Sequence, residues 1–195
     1  FTGFTAVTAI AIRELYKPRY LKTIIPALLV SSLLVGIFGF YQYFANMANL
    51  PTWLTGIRSQ YSWQLFGFPR IHSTALEPLY YCSYLLIPIS YLTMRLISKK
   101  GASWKHAMLY ILLATSVIIS LSRGGILAFA VVTVMSIILL MLRKQLKWTN
   151  VAKLFGLIVL SISIFLAIIT FVSRDPLNKT ITSGQKGASG YAKQV

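Results

Sequence analysis

HAMLYILLATSVIISLSRGGILAFAVVTVMSIILLML, residues 106–142, is apolar almost throughout and carries a single arginine, Arg123, in the tetrapeptide Ser122-Arg123-Gly124-Gly125. At about 1.5 Å per residue one straight helix of that length would reach about 55 Å, against about 30 Å of hydrocarbon in a bilayer. The run must therefore fold back on itself. Paired glycines weaken a helix and take turn angles at no steric cost, so the break is expected at Gly124-Gly125. Basic residues bracket both outer ends: Lys99, Lys100 and Lys105 before the run, Arg143, Lys144 and Lys147 after it. Basic links stay on the cytoplasmic side, which puts both ends there and Arg123 at the tip of a helical hairpin on the opposite membrane face.

The rest of the composition agrees with a membrane setting. Hydrophobic residues make up 56% of the 195 and charged residues only 11%, and the mean hydropathy is +0.71. These values lie far from those of a soluble domain. Three acidic residues, Glu14, Glu77 and Asp175, oppose 19 basic ones for a net charge of +16. Such an excess often signals nucleic acid. Here the basic residues lie mostly in short links between apolar segments, where they set topology and meet anionic headgroups, and nucleic acid is not an expected partner. One cysteine, Cys82, sits inside an apolar segment; it excludes a disulfide within the chain and reads as a small buried hydrophobe.

Working outward from the hairpin gives an all-α, polytopic transmembrane helix bundle of about five complete spans plus a truncated N-terminal one. Residues 1–12 end at Arg13, Lys17, Arg19 and Lys22, as the cytoplasmic end of a cut helix would. Residues 23–44 cross outward, a polar and aromatic segment from about 45 to 78 follows, and residues 79–97 return. The aromatics of that segment, Trp53, Tyr61, Trp63, Phe66 and Phe68, suit the headgroup level. Residues 153–173 cross outward again. The three cytoplasmic clusters then hold four basic residues each, while the outer links hold three, Arg58, Arg70 and Arg123, so the orientation follows from charge. Pro26 and Pro88 fall within spans and are expected to kink them. The chain reads as an internal fragment, with residues 1–173 forming the membrane domain and 174–195 opening a truncated extracytoplasmic loop.

Arg70 lies in Arg70-Ile71-His72-Ser73-Thr74-Ala75-Leu76-Glu77-Pro78, just before a span that starts on the outer face. The topology puts it on the same side as Arg123. Two planar guanidiniums at the outer mouth of a bundle can grip a phosphate or diphosphate by paired hydrogen bonds; alternatively each snorkels to headgroups, or Arg70 pairs with Glu77. Thr74 and Glu77 have capping-box spacing and Pro78 suits the first turn of a helix, so Ser73, Thr74 and Glu77 read as structural at least as readily as catalytic. His72 is the candidate general base within the chain, since an unperturbed histidine changes charge near neutral pH; the alternative is an incidental loop histidine. His106 begins a span at the cytoplasmic end and cannot share that site. No metal-ligand cluster, phosphate-cradling glycine loop or nucleophile elbow is present, and no metal or cofactor is expected.

The stretch from Arg70 to Pro78 followed by an apolar span, and then Leu121-Ser122-Arg123-Gly124-Gly125 opening the next helix, resembles the O-antigen ligase and O-antigen polymerase family of bacterial membrane glycosyltransferases. Members typically show Arg-x-x-(Gly/Ser)-Thr leading to an acidic or Asn residue beside Pro, then Ser-Arg-Gly at the outer end of a later helix. The resemblance covers residues 25 to 173. It departs at Leu76-Glu77-Pro78, where the family more commonly ends in Pro-Asn. It implies a multi-pass protein of the bacterial cytoplasmic (inner) membrane with its active site on the extracytoplasmic side. The family serves cell-envelope polysaccharide assembly, lipopolysaccharide included.

The activity implied is transfer or polymerisation of a glycan from an undecaprenyl-diphosphate carrier, without a nucleotide sugar or essential metal. The partners are a lipid-linked oligosaccharide donor, a lipid, glycan or protein acceptor, and the bilayer. The resemblance assigns diphosphate binding to Arg70 and Arg123, with Ser73, Thr74, Glu77, Ser122 and Gly124 as supporting residues. The family's histidine base belongs to a large outer loop after the next span, so it is expected beyond Val195 and the fragment alone is expected to be inactive. The competing reading is a multi-span transporter or flippase whose outer arginines bind an anionic solute or lipid.

Overall fold

The structure, a computed structural model, describes residues 18–48, 50–56, 70–75, 77–99 and 102–174. The expected truncated span at 1–12, the aromatics Tyr61, Trp63, Phe66 and Phe68, the links' Arg58 and Lys100, Leu76, and the tail from Asp175 lie outside the described residues. Within them the elements are helices: α1 Pro18–Met47, α2 Thr52–Thr55, α3 Pro78–Ile97, α4 Trp104–Ile119, α5 Arg123–Leu142 and α6 Trp148–Arg174. No strand forms among the described residues.

Among the described residues three helices are long and apolar enough to cross a bilayer: Lys22–Met47 within α1, Arg123–Leu142, which is α5, and Trp148–Thr170 within α6. Their apolar side chains mostly face outward; Leu127, Val131, Val134, Met135 and Met141 on α5 and Val159 and Leu166 on α6 are all exposed. A helix that is apolar all round, with its outer face uncovered, is matched to lipid and not to water. The protein is a membrane protein on this ground.

α3 and α4 form the centre. On α3 Tyr81, Cys82, Leu85, Ile89 and Leu92 are buried, and on α4 Tyr110, Leu113, Ala114 and Val117 are. Each set recurs at three- and four-residue steps and so lies on one helix face. α5 leans chiefly on α3, α6 on α4, and α1 on α4 with a lighter contact to α3. The two limbs of the expected hairpin, α4 and α5, are thus adjacent in sequence but are not each other's main neighbours.

Small residues let α1 approach. Ser32, Gly36 and Gly39 are buried along one face of it. A Cβ on Gly36 would sit 3.0 Å from Leu112 Cδ2 on α4, and one on Gly39 would collide with the Tyr81 hydroxyl on α3. Close backbone approach through small residues is the usual way to gain packing where lipid removes the hydrophobic drive between helices. Several span hydroxyls are absorbed within their own helices: Ser32 Oγ donates to Leu29 O, Ser116 Oγ to Leu112 O, Thr133 Oγ1 to Phe129 O and Ser161 Oγ to Leu157 O. Such back-bonding lets a serine or threonine sit in an apolar helix without an orphan donor. α1 and α3 continue as helices through Pro26 and Pro88.

The two basic links are stitched together. Lys99 N donates to Gln145 O at 3.0 Å, Lys147 N to Ile97 O at 3.2 Å, and Asn150 Nδ2 to Ser98 O at 3.0 Å. This brings Arg95, Lys99, Lys105, Arg143, Lys144, Lys147 and Lys153 to one end of the bundle, as the charge pattern requires of links that share a side.

Candidate functional site at the two-arginine end

The opposite end holds both sequence-predicted arginines. The first turns of α3 are their common anchor. Leu79 and Cys82 face the start of α5, where Gly124 and Gly125 lie, while Tyr81 lies against Gly39 of α1, beside which Ile71 also packs. Arg70 is next to Ile71, and Arg123 next to Gly124, so the two cations share this end.

Arg123 is seated differently from expectation. The chain reverses at Ser120–Ser122, where Leu121 takes φ 50, and both glycines lie inside the first turn of α5. The reason is capping and packing. Ser122 is the N-cap, and its Oγ accepts from Gly125 N at 3.2 Å, which starts the helix before the glycines can break it. Gly125 then serves contact: a Cβ there would lie 2.5 Å from Cys82 Sγ and 2.6 Å from Cys82 Cβ. Ser120 ties the three helices together. Its Oγ donates to Val117 O at 2.6 Å and accepts from Ser122 N at 3.3 Å, which leaves the Cys82 thiol, 3.0 Å away, as a second donor to it. Cys82 is buried as the sequence implies, and it also carries this hydrogen bond.

Arg123 is therefore the first residue of α5, with an exposed side chain. The first turn of that helix contains no acid. A helix start carries partial positive charge on its unpaired amides, and a guanidinium there adds to it, so the position attracts an anion.

Arg70 is half-buried, and its Nε is buried without a hydrogen-bond partner among the described residues. It opens a turn that is pinned to α1. Ser73 takes φ 51, and Gln42 holds it at two points: Ser73 N donates to Gln42 Oε1 at 2.8 Å and Gln42 Nε2 donates to Ser73 O at 3.1 Å. Ser73 Oγ also donates to Val35 O at 2.7 Å. His72 is 3% exposed; its Nδ1 lies 2.7 Å from Ala75 O, whose residue returns a bond from Ala75 N to His72 O at 2.9 Å. The imidazole thus closes the turn that carries Arg70.

The supporting residues divide. Ser73 and Ser122 hold backbone in place, Gly124 is exposed beside Leu79, and Thr74 is exposed. The capping box does not form: Glu77, and not Thr74, is the N-cap of α3, and its side chain caps no amide. Pro78 occupies the first helical position as its fixed φ favours, and because that position needs no donor, a box has little to add. Sequence reasoning missed Gln42. Its signal is positional: an amide on the same α1 face as Gly39, three residues on, near the end of an apolar helix. A polar side chain facing a membrane bundle's interior is expensive unless it is paired.

No family model matches the chain, and neither a curated protein nor a solved structure matches it. The reading of this end rests on its residues.

Proposed function

We propose that this end of the bundle binds the diphosphate of a lipid-linked glycan donor, and that the chain belongs to an O-antigen ligase- or polymerase-like glycosyltransferase. One observation carries the reading: Arg70 and Arg123, far apart in sequence, share the end opposite the basic links, one with a buried Nε that has no partner among the described residues and the other on a helix start. The described basic links hold seven cations at the other end, so the two-arginine end faces outward under the positive-inside rule, toward the periplasmic or extracellular side of a bacterial cytoplasmic membrane. On this reading α3 and α4 complete five crossings. α3 is about 30 Å long for its 20 residues, and the 16-residue α4 is covered by its neighbours over its second half, where Tyr110, Leu113, Ala114 and Val117 are buried.

The chemistry asked of the arginines is electrostatic. An acceptor hydroxyl attacks the anomeric carbon, the bond from that carbon to the diphosphate oxygen breaks, and the electron pair leaves on the carrier diphosphate. Guanidiniums in the low-dielectric mouth of a bundle stabilise that growing charge without reorganising. The acceptor's proton goes to a base that lies outside Arg70–Arg123. In the full-length protein Arg123→Ala abolishes transfer from a lipid-diphosphate donor while leaving membrane insertion and melting temperature unchanged. Normal turnover by that variant sinks the proposal.

A further inference from the structure

A cavity of about 500 Å³ opens at the basic end, remote from the two arginines, between the α3–α4 link, the start of α4 and the first half of α6. We infer that it is a binding site for one phospholipid with a net-negative headgroup, the phosphate lying against Lys153 at the rim and one acyl chain lying along the α6 floor. The inference is independent of the glycosyl-transfer reading.

The rim is polar and positive. Ser103, Trp104, Asn150 and Lys153 line it. α4 and α6 both begin here; neither has an acid in its first turn, and Ser103 caps no amide of α4 with its side chain. Uncapped first-turn amides carry the positive end of the helix dipole. No acidic side chain is among the lining residues, so nothing within the cavity neutralises Lys153. Trp104 and Trp148 are 67% and 68% exposed at this end. Exposed tryptophans beside basic links are characteristic of the headgroup level, which sets the depth of the rim.

The floor is apolar and open. Leu154, Leu157 and Leu160 follow Lys153 along α6, with Leu96 of α3 opposite. Gly156 lies among them, and a Cβ added there would meet nothing within 4 Å. Unlike Gly36, Gly39 and Gly125, this glycine is not required by a neighbouring helix; its missing side chain widens the groove. From Lys153 to Leu160 the helix rises about 10 Å, the depth from a phosphate to the middle of a leaflet's hydrocarbon. A site with cationic rim and apolar floor at that depth fits an amphiphile and not a free anion. A zwitterionic lipid offers the chain without the net charge that the rim selects.

Native mass spectrometry of the full chain, released from vesicles of equal phosphatidylglycerol and phosphatidylcholine, tests this. Wild type is expected to retain one phosphatidylglycerol in preference to phosphatidylcholine. Lys153→Gln lowers phosphatidylglycerol retention about five-fold, the worth of one lysine near an anionic surface, and leaves phosphatidylcholine unaffected. Gly156→Leu, which fills open space and strengthens the helix, lowers retention of both lipids. Lys144→Gln, on the other basic link and outside the cavity, changes neither. Equal retention of the two lipids by wild type, the same loss from Lys144→Gln as from Lys153→Gln, or displacement of the lipid by inorganic phosphate alone would each overturn the inference.

Discussion

Gly124 and Gly125 are neighbours in sequence with opposite surroundings, and replacing each by alanine separates packing from propensity. At Gly125 the new Cβ lies 2.5 Å from Cys82 Sγ and 2.6 Å from Cys82 Cβ, against about 3.5–4 Å for an ordinary carbon contact. α3 and α5 must therefore part by about 1 Å where they pack, and Arg123 moves with α5. Overpacking of this kind costs about 1–3 kcal/mol, of which alanine's better helix propensity returns at most about 1. With two contacts this far below 3.0 Å the upper part of that range, about 2–3 kcal/mol, applies, and the net loss for Gly125→Ala is about 1–2 kcal/mol. At Gly124 the nearest atom is Leu79 Cδ1 at 3.2 Å, the far end of a side chain that can turn away. Gly124→Ala is expected to be neutral or stabilising by a few tenths of a kcal/mol.

Thermal unfolding of the purified protein in one detergent reads the difference as a lower melting temperature for Gly125→Ala by about 2–8 °C, with Gly124→Ala at or above wild type. Cys82→Gly supplies the check. Combined with Gly125→Ala it removes both close atoms, so the double-mutant cycle shows a favourable coupling of about 1–2 kcal/mol. Cys82→Ala keeps the Cβ at 2.6 Å and recovers only part of it. If Gly125→Ala melts no lower than Gly124→Ala, the seat assigned to α5 is wrong.

Gln42→Met leaves the Ser73 N–H and C=O without their Gln42 partners; at about 1–3 kcal/mol each the protein loses about 2–6 kcal/mol, and, if the proposed function holds, release of Arg70 lowers the transfer rate as well. An unchanged melting temperature would show that the amide does not hold this turn. Leu121→Gly relieves a left-handed residue, which costs a side-chain-bearing L-residue about 1–2 kcal/mol, and after glycine's own entropy loss it stabilises by about 0.5 kcal/mol. A clear fall in melting temperature for that variant would place the reversal elsewhere.

Much of the architecture is legible in the chain because membrane insertion depends on one-dimensional quantities. Length against bilayer thickness forces the break within 106–142, and the clusters from Arg95 to Lys105 and from Arg143 to Lys153 gather at one end as charge requires. The site is less legible. That Arg70 and Arg123 share an end follows from counting crossings. What holds them does not, because it depends on which faces of α1, α3 and α5 meet. The glycine pair illustrates the limit: glycine serves both turns and close contacts, and composition cannot tell them apart. The N-cap bond from Ser122 decides in favour of contact. The capping-box spacing of Thr74 and Glu77 fails for a similar reason, since Pro78 starts the helix three residues later than the box would.

The sequence by itself determined that the chain lives in a membrane, that the run 106–142 must break, and which cations gather at which end, because hydrophobic length and loop charge act segment by segment. Only the tertiary structure decided that α5 leans on α3 through Gly125 and Cys82, that Gln42 pins the turn bearing Arg70, and that Gly156 opens a groove where Gly36 and Gly39 close one. Each of these is a distance between residues far apart in the chain, and such distances are set by side-chain shape where helices cross, which no local pattern encodes.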